Sequence, residues 1–328
     1  MRQKSRLLAV CIFVVGLIGP IRSGLAQAEP PWPAKPIRLI VPFPPGGGSD
    51  LTARTIGESM AAGLGQPVVV ENRPGANGVL GTDAVAKAKP DGYTILLTDR
   101  GALGINPSLY VSLPYDPLKS FAHIGIAVEG PFVMVVDPKL GLKTVPDLVA
   151  LAKTKALNYG SFGVGSISQL NIEAFARAAG IKLVHIPYKG AAPAVLAAVQ
   201  GDVAVTVASP PAVLGHIRSG RLAAIAVGAD KRLDQLPDVP TIVQAGFPLE
   251  TLAPTFFSFA TPAGTAEAII ARLNGELRRA LAQPAVADKL VGVGLIPKPG
   301  APEDALRVIA QDIVRFRALA ESLGIKPE

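Results

Sequence analysis

Ile37-Arg38-Leu39-Ile40-Val41-Pro42-Phe43-Pro44-Pro45-Gly46-Gly47-Gly48-Ser49-Asp50 decides the architecture. An apolar run predicts a strand over Ile37–Val41, the Pro/Gly loop Pro42–Gly48 ends it, and helical periodicity follows from Ser49 to Ala62. The unit recurs as a strand over Leu157–Ser161, the loop Ser161-Phe162-Gly163-Val164-Gly165-Ser166 and a helix over Ser168–Ala179. Between and after them, strands are predicted at Val68–Glu71, Tyr93–Thr98, Phe132–Val136, Leu183–Ile186, Val203–Val207, Leu222–Val227 and Thr255–Ala260. Helices are predicted at Val79–Ala88, Val145–Lys153, Ala192–Gln200, Val213–Ser219, Ala266–Ala282 and Glu303–Leu323. This alternation implies an α/β protein with mostly parallel sheets and helices on both faces. Two echoing units imply two lobes, each presenting a helix N-terminus where open α/β sheets bind ligands.

Three consecutive glycines ahead of a helix leave backbone N–H groups unobstructed, and Ser49 or Asp50 is expected to cap that helix. Free N–H groups at the positive end of a helix dipole suit an anion. A P-loop is excluded because no Gly-Lys-Ser/Thr follows, and Gly163-x-Gly165-x-x-Ser168 is an imperfect dinucleotide fingerprint. Asp50 would repel a phosphate dianion unless it caps the helix or bonds a ligand hydroxyl, so a carboxylate fits better. Each charge-assisted bond contributes roughly 1.5–3 kcal/mol, so two or three amides hold a carboxylate without a lysine.

The chain has 328 residues, 17% charged and 49% hydrophobic, which excludes disorder, collagen and coiled coil. One cysteine excludes a disulfide framework and a Cys-rich metal site. Arg2, Lys4 and Arg6 precede an apolar run from Leu7 to Ile18, which Gly19-Pro20 breaks before Ala26-Gln27-Ala28. This is the form of a secretory signal peptide over residues 1–28, cleaved after Ala28, and the run is too short to span a membrane. Cys11 lies inside the apolar run behind Val10, which is unsuited to lipid attachment. Cleavage removes four basic residues and no acid, taking the formal charge from +7 to +3. No basic stripe interleaved with aromatics is present, so no nucleic-acid partner is expected. The expected fate of the chain is export.

Little points to catalysis. His123, His185 and His216 show no paired-ligand spacing, so no metal and no cofactor is expected. Tyr159-Gly160-Ser161-Phe162-Gly163 falls one glycine short of a nucleophile elbow, although Ser161, Asp202 and His216 follow hydrolase order. The alternative is that Ser161 is a polar loop residue bonding a ligand or capping a helix, with the histidines structural. An exported serine hydrolase using Ser161 is the minor reading, and a binding protein the major one.

Larger blocks carry a resemblance. Trp32-Pro33-x-Lys35-Pro36 leads into the opening stretch, followed by Gly65-Gln66-Pro67-Val68-Val69-Val70-Glu71-Asn72-Arg73-Pro74-Gly75-Ala76 and Pro90-Asp91-Gly92-Tyr93-Thr94. Asn106-Pro107-Ser108-Leu109-Tyr110, Leu113-Pro114-Tyr115-Asp116-Pro117 and Val184-His185-Ile186-Pro187-Tyr188-Lys189-Gly190 come next. Leu236-Pro237-Asp238-Val239-Pro240-Thr241 and Thr261-Pro262-Ala263-Gly264-Thr265 complete the set. The chain resembles the tripartite tricarboxylate transporter solute receptors, the TctC-like or Bug (Bordetella uptake gene) family, along essentially its whole mature length.

The resemblance implies a two-lobed periplasmic binding protein of type II-like form, with the ligand cleft between lobes and hinge closure on the ligand. Lobe 1 is expected at 29–130 and 255–328, and lobe 2 at 131–254. The implied ligand is a small mono-, di- or tricarboxylate. The implied partners are the large and small integral-membrane transporter subunits, or a sensor kinase to which the ligand is presented. The receptor is expected to be a monomer and not an enzyme.

The family's ligand-clasping loops match Pro45, Gly46, Gly47, Gly48, Ser49 and Asp50 in the first half. In the second they match Ser161, Phe162, Gly165, Ser166, Ile167 and Ser168, with Thr98 and Ser209-Pro210 at the pocket edge. His185–Tyr188 is read as mainly architectural. Four departures bear on the ligand. Val164 stands where members carry Asn or a small polar residue, Gln169 where they carry His, and Ala208 where an Asp commonly precedes the serine. Asp99-Arg100 stands where small residues are usual. Arg100 can fork onto a second carboxylate and Asp99 can take an amine or hydroxyl, unless the two pair with each other at the rim. Phe162 and Val164 suit an apolar or aromatic body on the ligand.

Overall fold

The computed structural model describes residues 32–322 and Gly324; the leader expected over 1–28 lies outside the described residues. The opening run folds as strand β1 (Ile37–Val41) and helix α1 (Gly48–Leu64). Ile37, Leu39 and Val41 pack with Ile56 and Met60 of α1, whereas Ile40 points the other way among Val79, Leu96 and Phe256. A strand covered on both faces needs apolar side chains on both, which is why the run shows no alternation.

The first sheet continues with β2 (Val68–Asn72), helix α2 (Val79–Ala86), β3 (Thr94–Asp99) and β4 (Phe121–Gly130). A π-helical turn, Gly101–Ile105, leaves β3. The chain then enters the second sheet as β5 (Phe132–Val136) and helix α3 (Val145–Thr154). There follow β6 (Leu157–Ser161), α4 (Ile167–Ala179), β7 (Leu183–Pro187), α5 (Ala191–Gln200), β8 (Val205–Ala208), α6 (Pro210–Arg218) and β9 (Ala223–Gly228). It returns to the first sheet as β10 (Thr255–Pro262) and ends with α7 (Glu267–Ala282), α8 (Pro284–Val291), β11 (Ile296–Pro297) and α9 (Pro302–Ser322).

The sheet orders are β11-β4-β10-β3-β1-β2 and β7-β6-β8-β5-β9. β10 is antiparallel to both β3 and β4, and β5 is antiparallel to both β8 and β9. Each of these is the strand that has just arrived from the other sheet. The mostly parallel expectation holds for strand direction, but each arriving strand enters between parallel neighbours and makes its sheet mixed.

The sequence reading missed β4, β11, α8 and the π-helical turn. β4 is interrupted by Gly125, at φ +154°, where a Cβ would press on the Asn274 amide at 3.2 Å. That amide donates to the Ile124 carbonyl at 2.7 Å, so a packing need placed glycine inside a strand.

Helix α9 serves both sheets. Ile309 packs in the first sheet's core, whereas Phe316 and Ala320 pack in the second's with Phe132, Tyr159 and Phe175. Arg177 of α4 donates to the Ser322 carbonyl at its end.

Candidate functional site

Five helices begin at one cavity of about 690 Å³. The N-cap residues of α1, α2, α4, α5 and α6 (Gly47, Gly78, Ser166, Gly190 and Ser209) all line it. The positive ends of five dipoles thus point at one volume, from connections of both sheets.

The two Gly-rich loops are built differently. In the first, neither Ser49 nor Asp50 caps α1, contrary to expectation: the N-cap is Gly47, which has no side chain to do it. Asp50 instead turns back to accept from the Gly46 N–H at 3.1 Å and from Asn72 Nδ2 at 3.1 Å, and it pairs with Arg54 at 2.9 Å. Burial pushes the Asp50 carboxyl up, but the bonds from Arg54, Gly46 and Asn72 outweigh it and hold the group below its usual range. Among the described residues no acceptor meets the N–H groups of Gly47, Gly48 and Ser49.

In the second loop the amides ahead of the helix are largely taken, although among the described residues no acceptor meets those of Ile167 and Ser168 at the start of α4. Phe162 N–H donates to Ser168 Oγ at 2.9 Å, Gly163 N–H to Ser161 Oγ at 3.2 Å, and Gly165 N–H to Gln169 Oε1 at 2.7 Å. Ser166 Oγ donates to the Gly163 carbonyl at 2.8 Å and accepts from the Gln169 N–H. The glutamine that departs from the family pattern is therefore a loop fastener.

Aromatic side chains form much of the wall: Phe43, Tyr110, Phe132, Phe162, Tyr188 and Phe257. Phe132 and Phe162 approach with ring centroids 6.2 Å apart. Asp99 is the one acid among the lining residues and Lys189 the one base. Asp99 is enclosed by protein except where it opens onto the cavity, and burial pushes its carboxyl up to about 6, despite the Ala102 N–H bond at 3.0 Å.

Of the residues expected at the site, Pro45, Gly47, Gly48, Ser49, Asp99, Phe162, Ser166, Ile167 and Ser209 line the cavity. The others lie behind it. Gly46, at φ +89°, turns the chain so that its N–H meets Asp50. Thr98 is fully buried beneath the wall, and Ser161, Gly165 and Ser168 hold the second loop together. Pro210 packs against Gly294, where a Cβ would come within 2.7 Å.

Arg100 corrects an expectation: it neither reaches the cavity nor pairs with Asp99. Its guanidinium bonds Asp312 of α9 at 2.8 Å, donates to the Pro254 carbonyl and lies over the Phe256 ring. A buried carboxylate on α9 offers a pairing that water at the cavity cannot match, so the side chain turns inward. Conversely, the wall includes residues that loop reading missed: Phe43, Pro74–Gly78, Tyr110, Phe132, Tyr188–Ala192, Thr255 and Phe257. Tyr188 and Lys189 sat in a quoted motif; Phe132 and Phe257 lie on the two crossing strands, where sequence carries no sign of a pocket.

The hydrolase arrangement is absent. Ser161 Oγ lies 2.5 Å from Nε2 of His185, not beside His216, and it is fully buried. His185 stacks on Tyr159 at 4.9 Å, and burial lowers its pKa, so the ring stays neutral as a hydrogen-bond partner. Tyr159 in turn donates to Glu173 Oε1 at 2.5 Å. This chain of contacts ties β6, β7 and α4 together. It is a brace.

Two mixed sheets and helix N-termini meeting on one cavity define a solute-binding protein of the periplasmic type. The comparisons then give the family. Residues 52–325 match the profile of the tripartite tricarboxylate transporter family receptor, TctC, and the chain belongs to that family. The chain is 38% identical to protein BugT of Bordetella pertussis over 98% of each chain. Its fold matches the periplasmic binding protein BugD with a TM-score of 0.86 at 32% identity, over 90% of this chain and 100% of that one. It matches Rpa4515 of R. palustris, solved with adipate, at 0.87 and 31% identity, over 90% and 100%. MatC of Rhodopseudomonas palustris, solved with malate, matches at 0.81 and 31% identity, over 88% and 99%. These are receptors, not enzymes. No helix among the described residues is long and apolar enough to cross a membrane.

Proposed function

We propose that the cavity receives the carboxylate of a small organic acid and that the protein delivers it to a tripartite tricarboxylate-type secondary transporter. The observation that carries this reading is the meeting of five helix N-caps on one cavity. The open N–H groups of Gly47, Gly48 and Ser49 would hold the anion, Ser166, Ile167 and Ser209 would face it from the other side, and the aromatic wall would cover the ligand's apolar body. Relatives solved with adipate and malate support a carboxylate of this size. In this reading the protein is exported after cleavage at Ala28 and acts as a monomer. Lobe 1 (29–130 and 255–328) and lobe 2 (131–254) close on the ligand.

Thermal shift and calorimetric titration with carboxylic acids and their matching amides test the reading. Carboxylates should raise the melting temperature by mass action and the neutral amides should not. Equal binding of acid and amide would show that the helix ends do not recognise charge. Delivery is tested by uptake into cells carrying the two membrane subunits, with and without the receptor.

A further inference from the structure

The charges on the cavity wall do not match a ligand that is anionic throughout. Asp99, at the end of β3, faces the cavity, yet among the described residues no Lys or Arg nitrogen lies within 4 Å of its carboxylate. Its neighbour Arg100 is the obvious counter-ion, but Arg100 is committed to Asp312 and the Pro254 carbonyl. The fold supplies Asp99 with backbone N–H groups, that of Ala102 donating to Oδ1 at 3.0 Å, and with the weaker field of Arg100, but with no bonded cation. An enclosed carboxylate without a counter-ion costs free energy until something of opposite charge reaches it. Lys189 lines the wall from the connection after β7, in the second sheet, and among the described residues it makes no ion pair either. The cavity wall thus carries both signs: amide N–H groups and a lysine supply positive potential, and a single carboxylate stands at the end of β3, the strand beside β1.

We infer that the preferred ligand is a zwitterion, a carboxylate that also carries an ammonium group, with the carboxylate on the α1 amides and the ammonium on Asp99. This rests on the carboxylate-receptor reading above and narrows it. A dicarboxylate long enough to span the cavity would bring its second anion against Asp99, and like charges in an enclosed site are a strong means of rejection. An ammonium group instead supplies the missing counter-ion, and aromatic walls suit the methylenes between the two groups. Burial of the free carboxyl, which pushes it up to about 6, fits a group whose natural partner arrives with the ligand.

The test is calorimetric titration of the purified protein with length-matched aminocarboxylates, hydroxycarboxylates, dicarboxylates and plain monocarboxylates, repeated on Asp99→Asn. The asparagine amide keeps an oxygen for the Ala102 N–H, so the variant should fold; its circular dichroism and melting curve check that. At the best-fitting length the aminocarboxylate should bind about tenfold or more tighter than the matching dicarboxylate, and the variant should bring that ratio to about threefold or less. Three results would overturn the inference while leaving the receptor reading intact: dicarboxylates binding the native protein as well as aminocarboxylates, hydroxycarboxylates matching aminocarboxylates, or a preference unmoved in Asp99→Asn. Failure of every carboxylate to bind the native protein would remove both readings together.

Discussion

The first and second Gly-rich loops begin from similar sequence and end as different devices. The first, Pro45–Asp50, ends in a helix whose N-cap is glycine, and its amides remain open to the cavity. The second, Ser161–Ser168, has serines and a glutamine at intervals that turn the amides of Phe162, Gly163 and Gly165 inward, so the part ahead of its helix is closed upon itself and only the first turn of α4 keeps open N–H groups. A glycine-rich stretch is therefore a socket only where nothing nearby can cap it. The same composition with serines interleaved is a brace that sets the position of Phe162, Ser166 and Ile167.

Substitutions should separate the two. The largest effect is expected at Gly48, where a Cβ would stand 2.9 Å from Ser209 Oγ and 3.1 Å from the Phe257 ring. Gly48→Val should weaken carboxylate binding by about 100-fold, or about 2.7 kcal/mol, and should also lower the melting temperature, because the added side chain must displace Ser209 and Phe257. Unchanged affinity in titration would mean that the socket lies elsewhere. Ser168→Ala should act on stability alone. It strips the buried Phe162 N–H and Ser166 Oγ of a partner, which costs about 1–3 kcal/mol in chemical denaturation, with affinity shifted by less than about threefold. A stability change confined to Gly48→Val would overturn the assignment of the second loop as a brace.

Asp99 gives a prediction in pH. Its unfolded carboxyl titrates near 3.8 and its folded one at about 6, so the folded chain holds the proton more tightly. Stability is therefore greatest below the unfolded value and falls as pH rises through that window. The groups around it do not reverse the sign: Arg100 is turned to Asp312, and the Tyr115 hydroxyl, pushed up by burial, stays neutral. Asp99→Asn should melt higher than the native protein at pH 8, by about 1–2 kcal/mol once the cavity's water is allowed for, and the gain should vanish near pH 4. A gain independent of pH would place the effect in packing instead of charge. The smallest effect belongs to Arg54→Ala on the outside of the first loop. The Arg54 side chain is 53% exposed, so loss of its pair with Asp50 should cost under about 1 kcal/mol in the same assay.

What was legible in the sequence follows from how locally each feature is determined. β1 and β5 have the bounds read from their apolar runs, because a strand covered on both faces writes itself as such a run; β6 has the bounds read for it too, although Leu157-Asn158-Tyr159-Gly160-Ser161 is no such run. The three glycines announced an amide-lined loop, and helix dipoles alone led to an anion. By contrast, Asp99 and Arg100 are adjacent, and nothing local says which one faces the cavity. That depends on Asp312, 212 positions after Arg100, and on Phe256 and Pro254 from the returning strand and its approach. Cap assignment failed for a related reason: Asp50 was judged against its own helix, whereas Asn72 on β2 and the Gly46 amide bid for it more strongly.

The strand exchange has a consequence for the order in which the molecule can be assembled. The second sheet is drawn from one unbroken stretch, 132–228, and holds all its strands once that stretch is available. The first sheet has β10 in its interior, between β3 and β4, so strands made early must wait for Thr255–Pro262 before they are joined. Contacts of such long sequence separation form slowly, and until they do the edges of β3 and β4 are unpaired backbone. A chain threaded from its N-terminus through a narrow exporter would present the incomplete sheet first and the sheet of contiguous strands second, the latter still waiting for Phe316 and Ala320 of α9 to fill its core. The region with the longest exposure to mispairing is then the one that carries the anion socket, and a chaperone that shields strand edges would matter most there.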